Sequence, residues 1–304
     1  MNMVRVVRLD MKQCKMIAID MDGTLLCPRS TVTPRVKAAI HAAVRSGLLV
    51  VFATGRNINE CKAVLAAVDH YDSGVFVGGA VVIDTRNWKT MHRTMMQPDL
   101  TRKLTALLES MGHAVLAVQD HSAGGYDYLI TGNIPVNSET AHWMRVNSAS
   151  HLLVEKLSEH AHEHTIRVGI VAPPEEVARV KAAVEKQFGQ RVVLLNLAVP
   201  SAGVEVLEVF DPAVNKWEGI QHIARQHGIL GQEIIAIGDD VNDIPMLKNA
   251  GWGIAMGNAK PEVQKAARRV IGSNQDEGLA AFLEEIVALR TGKLSNTKEG
   301  EVAA

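Results

Sequence analysis

An α/β fold is what this 304-residue chain predicts: a parallel sheet with helices on both faces, and a separate α+β unit inserted into it. Three observations carry the expectation. Short apolar runs alternate with helix-period segments from Lys15 to Val77, the βαβαβ pattern of a parallel sheet with right-handed crossovers. From about Asp84 that rhythm gives way to neighbouring strands with a glycine turn, a pattern of antiparallel pairing. After Phe210 the strand-helix alternation returns.

The elements follow in order. The run Met16-Ile17-Ala18-Ile19-Asp20 is too short for a helix and apolar up to its last residue, so residues 15–20 read as a buried parallel strand. Thr33 as N-cap, Pro34 at the first helical position and Gly47 as terminator bound a helix, with Val36, Ala39, Ile40, Ala43 and Val44 at helical spacing. Residues 48–53 make a second strand, 57–68 a second helix and 74–77 a third strand. In the middle of the chain, 114–119 and 126–131 form a strand pair joined through Gly124-Gly125, and 139–159 reads as a helix interrupted around 148–150. A strand over 165–172, a helix from Pro174 to near Gly189, and strands over 191–198 and 204–210 complete that part. A helix over 215–227, a strand over 233–238, a short helix over 242–249, short strands over 252–256 and 269–271, and an amphipathic helix over 277–289 follow. The expected organisation is a discontinuous core of 1–84 and 204–290, an inserted unit of 85–203, and a polar tail of 291–304 without fixed structure.

Composition narrows the function. Hydrophobic residues make up 47% and charged residues 21%, the balance of a soluble globular protein. A formal net charge of -1 carries no electrostatic footprint for nucleic acid or an anionic membrane, and no apolar run is long enough to span one. The N-terminus has no apolar block or cleavage pattern of a signal peptide. Cys14, Cys27 and Cys61 show no metal-ligand spacing, and Cys61 falls in register with Ile58, Leu65 and Val68 as a core residue, so a reduced, cytoplasmic protein is expected.

Four segments at strand ends or helix starts hold the residue types that phosphoryl transfer uses. The first is Asp20-Met21-Asp22-Gly23-Thr24, whose two carboxylates would face one site in extended chain and call for a hard divalent cation such as Mg2+. The second is Thr54-Gly55-Arg56, offering a hydroxyl, an open backbone amide and a guanidinium to an anion. The third is Lys216 at a helix N-terminus, where dipole and ammonium act together. The fourth is Gly238-Asp239-Asp240-Val241-Asn242-Asp243. Each has an ordinary reading alone: Asn242 or Asp243 as a helix cap, Thr54 as a turn residue, Lys216 as a surface lysine. Two acidic clusters from opposite ends of the chain resist that reading, because buried carboxylates need a partner.

These segments, with Leu25-Leu26, Ile244-Pro245-Met246-Leu247 and Gly257-Asn258-Ala259-Lys260-Pro261-Glu262-Val263, resemble the haloacid-dehalogenase-like phosphohydrolase superfamily, most closely its Cof-type branch of sugar-phosphate phosphatases. The resemblance implies a Rossmann-like core with an inserted cap of the larger, second type (C2). It implies Asp20 as nucleophile through an aspartyl phosphate and Asp22 as general acid and then base. Thr54 and Lys216 would hold the phosphoryl oxygens, with Gly55 and Arg56 beside them, and Asn242 would orient phosphate or Lys216. Mg2+ would be bound by Asp20, Asp239 and the backbone carbonyl of Asp22, with Asp243 acting directly or through water. The implied partner is a small phosphorylated substrate, with no nucleic acid and no membrane. A phosphomutase using the same aspartyl phosphate, or a catalytically idle binding module, stands beside the phosphatase reading.

One departure is visible. Val77-Gly78-Gly79-Ala80 puts Gly78 where the branch commonly has asparagine, which bears on substrate rather than chemistry. In the insertion, Tyr126 and Tyr128 share a strand face and could line a cap, although such pairs are more often packed. His160, His162 and His164 invite a metal reading, and the Glu and Lys residues around them favour a polar helix end or loop.

Overall fold

The computed structural model describes residues 10–141, 150–199 and 203–293. The chain divides into two compact units, Met1–Trp88 with Asn215–Ala304, and Lys89–Val214.

In the first unit, Met16–Ile19 is an interior strand of a five-stranded sheet, all four of its residues apolar and fully buried. It pairs in parallel with Leu49–Phe52 on one side and Ile234–Gly238 on the other, Ile17 lying opposite Val50 and Ile235. Trp252–Ala255 and Arg269–Val270 extend the sheet beyond Ile234–Gly238, also in parallel. From Met16–Ile19 the chain therefore first builds one edge and, after the insertion, returns to build the other. The line between Met16–Ile19 and Ile234–Gly238 is a topological switch point, where the connecting loops diverge and leave a crevice at the carboxyl ends of the strands. Thr33 caps helix Pro34–Arg45 through the Val36 amide (3.3 Å), and Asn57 with Glu60 forms a capping box on helix Ile58–Val68. Helix Gly278–Arg290 packs on Pro34–Arg45, and Arg290 ties it down by donating to the carbonyls of Lys12 (2.9 Å) and Cys14 (2.6 Å). The three cysteines are free, and Cys61 is fully buried as its helical register requires.

The third strand differs from expectation. Ser73–Phe76 folds back as an antiparallel hairpin with Val81–Asp84, and touches the second strand through a single parallel bridge, Ala53 to Val75. Positive φ at Val77 (51°), Gly78 (66°) and Gly79 (110°) turns the chain there. Val77 is β-branched, so its left-handed backbone stores about 1–3 kcal/mol of strain.

The second unit is a six-stranded sheet: Val193–Val199, Val204–Phe210, Thr165–Ala172, Leu116–Gln119, Tyr128–Thr131 and His151–Val154, in that spatial order. All neighbours are antiparallel except the last pair. Leu104, Leu108, Val177, Val180, Val184 and Phe188, from helices Pro98–Ser110 and Pro174–Phe188, bury the apolar face of the sheet. Three expectations are corrected here. Val204–Phe210 lies between two strands of this sheet and not in the core, so the chain leaves the unit at Val214. The expected helix over 139–159 is met at its start, where residues 138–141 are helical, but strand His151–Val154 and a 3-10 turn Leu157–Glu159 replace its second half, while residues 142–149 lie outside the described ones. Helix Pro98–Ser110 occupies a stretch to which sequence reading assigns no element, despite Pro98 and the spacing of Leu100, Leu104 and Leu108. Tyr128 is buried in its strand and Tyr126 precedes it, exposed. His162 is buried with both ring nitrogens bonded inside the unit, to the Thr165 hydroxyl (2.9 Å) and the Leu157 carbonyl (2.7 Å).

Candidate active site

Asp20 follows directly on strand Met16–Ile19, its amide donating to the Ile237 carbonyl (3.0 Å) and its side chain buried. The chain then winds into a tight turn over Met21–Leu25, closed by Leu25 N to Asp20 O (3.2 Å) and Leu26 N to Met21 O (2.9 Å). Gly23 occupies it with φ +75°, and a Cβ there would collide with the Asp239 carboxylate, so glycine is required twice over. This turn overturns the idea that strand alternation aims both carboxylates at one point. Asp20 faces inward, whereas Asp22 is more than half exposed and accepts a forked pair of bonds from Arg56, through Nε at 2.8 Å and a terminal nitrogen.

Lys216 is the first residue of helix Lys216–Gln226, whose N-cap Asn215 accepts from the Glu218 amide (3.1 Å). The Asn215 carbonyl lies where Gly79 would carry a Cβ, so Gly79 lets the helix start come this close to the sheet. Lys216 is 1% exposed, and its Nζ donates to Asp20 Oδ1 (2.5 Å) and Asp243 Oδ1 (2.6 Å). Asp243 turns its other oxygen to the amides of Asp239 (2.9 Å) and Asp240 (3.0 Å), which fixes the loop after strand Ile234–Gly238. Asp239 accepts from the Thr24 hydroxyl (2.9 Å). Thr54 is fully buried, its hydroxyl accepting from the Arg56 amide (3.1 Å). The Asn242 amide nitrogen stands 3.9 Å from where a Cβ on Gly55 would be, and Asn242 Oδ1 is buried without a hydrogen-bond partner among the described residues. The structure thus joins Asp20, Lys216, Asp243 and Asp239, pairs Asp22 with Arg56, and sets Asn242 beside Gly55.

Electrostatics at this point is unbalanced. Asp20, Asp239 and Asp243 offer carboxylate oxygens that all lie within 4.8 Å of one another, against the single ammonium of Lys216. Burial, and then the charge of Asp243, push the Asp20 carboxyl well above the usual carboxylate range, with Lys216 pulling the other way. Burial also pushes Asp239 up to about 6, against the Thr24 hydrogen bond that lowers it. Burial alone would lower Lys216; Asp20 and Asp243 outweigh it and keep the ammonium charged. A group of hard oxygen donors with surplus negative charge fits a divalent cation of the Mg2+ or Ca2+ kind, and among the described residues this trio is where such a set occurs. The Asp22 side chain is outside it.

Sequence reading names Thr24 and Asn258 only as members of motifs, without a role, and misses Asn274 altogether. Asn258 Nδ2 donates to the Gly23 carbonyl (2.9 Å), and Asn274 Nδ2 to that of Leu26 (2.9 Å). Their signal was faint: short polar residues in turns after strands, which ordinarily cap or turn the backbone.

The chain belongs to the haloacid dehalogenase-like hydrolases, whose family profile matches residues 17–283, and within them to the Cof-type branch. It is 31% identical over 278 residues to YxeH of Bacillus subtilis, covering 90% of this chain and 98% of that one. It is 28% identical over 279 residues to the 5-amino-6-(5-phospho-D-ribitylamino)uracil phosphatase YitU of the same organism, with the same coverage. The solved structure of TM0651 from Thermotoga maritima superposes with a TM-score of 0.75 at 22% identity, over 90% of this chain and 97% of that one, which speaks for the fold. The protein is a phosphatase.

Proposed function

We propose that this phosphatase is a Mg2+-dependent, cytoplasmic phosphomonoesterase acting on a small phosphorylated metabolite of the sugar-phosphate class through a phosphorylated Asp20. The observation that carries the reading is the buried Asp20 carboxylate at the switch point, in contact with Lys216 and crowded by Asp239 and Asp243. An Asp20 oxygen attacks phosphorus, the ester P–O bond breaks, and the leaving alkoxide takes a proton from Asp22. Asp22 then removes a proton from water, whose oxygen attacks phosphorus and frees phosphate, restoring Asp20. Lys216 and the Thr54 hydroxyl hold phosphoryl oxygens as charge shifts between them. Asp20, Asp239 and the Asp22 carbonyl would hold the cation, which supplies charge neutralisation for an incoming dianion, with Asp243 supporting them. The named substrate of YitU, a phosphorylated ribityl compound, supports the substrate class.

The test is a phosphate-release screen over phosphorylated sugars, nucleotides and cofactors in isotopically labelled water. We expect release that requires Mg2+, stops on chelation, and puts the label into phosphate. Full activity after exhaustive chelation would remove the metal from the reading, and phosphate returned to substrate without label would make the enzyme a mutase.

A further inference from the structure

Asn258 lies on the turn after strand Trp252–Ala255, outside the four segments that carry the proposed chemistry. Its side chain nevertheless bridges three parts of the chain. Nδ2 donates to the Gly23 carbonyl (2.9 Å), in the turn that carries Asp22, and approaches Asp239 Oδ2 at 3.4 Å. Oδ1 accepts from the Asn274 amide (2.9 Å), and Asn274 in turn holds the Leu26 carbonyl at the far end of the same turn (2.9 Å). On the inner side of the turn, the Thr24 hydroxyl donates to Asp239 Oδ1 (2.9 Å). Both oxygens of Asp239 are therefore directed by neutral donors, one from the Asp22-bearing turn and one from Asn258. An amide is suited to this task, since it donates and accepts at once and adds no charge to an already negative site.

We propose that Asn258 is a positioning residue for phosphoryl transfer: it locks the Gly23 carbonyl to Asp239, so that the Asp22-bearing turn and the Asp239 carboxylate meet the cation as one preorganised unit. This rests on the function proposed above. Partners that orient metal-binding carboxylates change metal affinity by about 10–100-fold when removed, with little change in the ligands themselves. Asn258 is exposed, so its loss opens no cavity.

The experiment is Mn2+ binding to the full-length protein, followed by electron paramagnetic resonance, for the wild type, Asn258→Ala, Asn274→Ala and Asp239→Ala. Alongside it, the Mg2+ concentration for half-maximal hydrolysis of 4-nitrophenyl phosphate and the melting temperature are measured. Asn258→Ala should weaken Mn2+ binding and raise the half-activating Mg2+ concentration by at least about tenfold, with near-native melting. Asn274→Ala should do the same to a smaller extent, because the Asn258 donor remains. Unchanged Mn2+ affinity in Asn258→Ala would overturn the assignment, whatever its activity. So would an Asn258→Ala chain that no longer folds, since the residue would then be architecture. Failure of the underlying reading looks different: wild type and Asp239→Ala would bind Mn2+ equally poorly.

Discussion

The core unit and the inserted unit both bury charged groups, but they balance them differently. In the inserted unit the pairing is one to one: Arg167 meets Glu208 within the sheet, with the guanidinium 5.7 Å over the Phe210 ring. The Glu109 carboxylate there is absorbed by neutral donors, namely the Leu157 amide (2.7 Å), the Thr131 hydroxyl (2.9 Å) and the Ser158 hydroxyl (2.6 Å). His162 is likewise closed. Its Nε2 donates to the Leu157 carbonyl, so its Nδ1 accepts from the Thr165 hydroxyl, which accepts from Gln119 (2.9 Å). In the core, three carboxylates share one ammonium. Balanced burial holds a fold together. Surplus buried charge of one sign holds it together poorly and is therefore the mark of a place built for something that arrives later.

The contrast can be broken most directly at its two extremes. Asp20→Asn should lower phosphate release by on the order of 10³-fold or more. It should cost little unfolding free energy, because a neutral amide escapes both the burial and the Asp243 charge that raise the Asp20 pKa. Residual turnover near wild type, or a large loss of stability, would place Asp20 with the structural pairs. Glu208→Gln should do the reverse. Leaving Arg167 buried without its counter-charge costs about 3–5 kcal/mol in denaturant unfolding, while hydrolysis of a small generic phosphoester by the folded fraction stays within a few fold of wild type.

Acid sharpens the comparison inside the second unit. Burial lowers the His162 pKa to about 4, below its ordinary 6.5. The unfolded chain then binds more protons between those values, so stability is full above pH 6.5 and falls as pH drops toward 4. The loss is about 2–4 kcal/mol at 1.36 kcal/mol per pKa unit. His162→Gln should flatten that part of the stability-pH curve, and a curve of unchanged shape would mean that His162 is not buried neutral. The smallest effect is expected where a core charge is exposed. Lys260 pairs with Asp240 at 2.6 Å on the surface, and Lys260→Ala should change unfolding free energy by less than about 1 kcal/mol.

Most of the core was legible from the chain alone because its elements are local: a caps-and-periodicity rule finds Thr33 to Arg45, and an all-apolar run finds Met16–Ile19 and Ile234–Gly238. So were the four segments that the structure draws around Asp20 and Lys216, since each ends a strand or starts a helix. What eluded a linear reading depends on partners far away in sequence. Val204–Phe210 is a strand by composition and follows the inserted ones in the chain, but its pairing with Val193–Val199 and Thr165–Ala172 is what moves the boundary of the inserted unit from 203 to 214. His151–Val154 reads as helix until Tyr128–Thr131 offers it a ladder. Asp20 and Asp22 stand two residues apart, and the spacing said they should face together. The wound turn at Gly23, pinned from 235 residues away by Asn258, separates them instead and gives Asp22 to Arg56. Residue types and their local periodicity determine which elements form and which chemistry is on offer. Which charges end up sharing one buried volume is decided by long-range packing, because only there does burial make their mutual repulsion strong enough to matter.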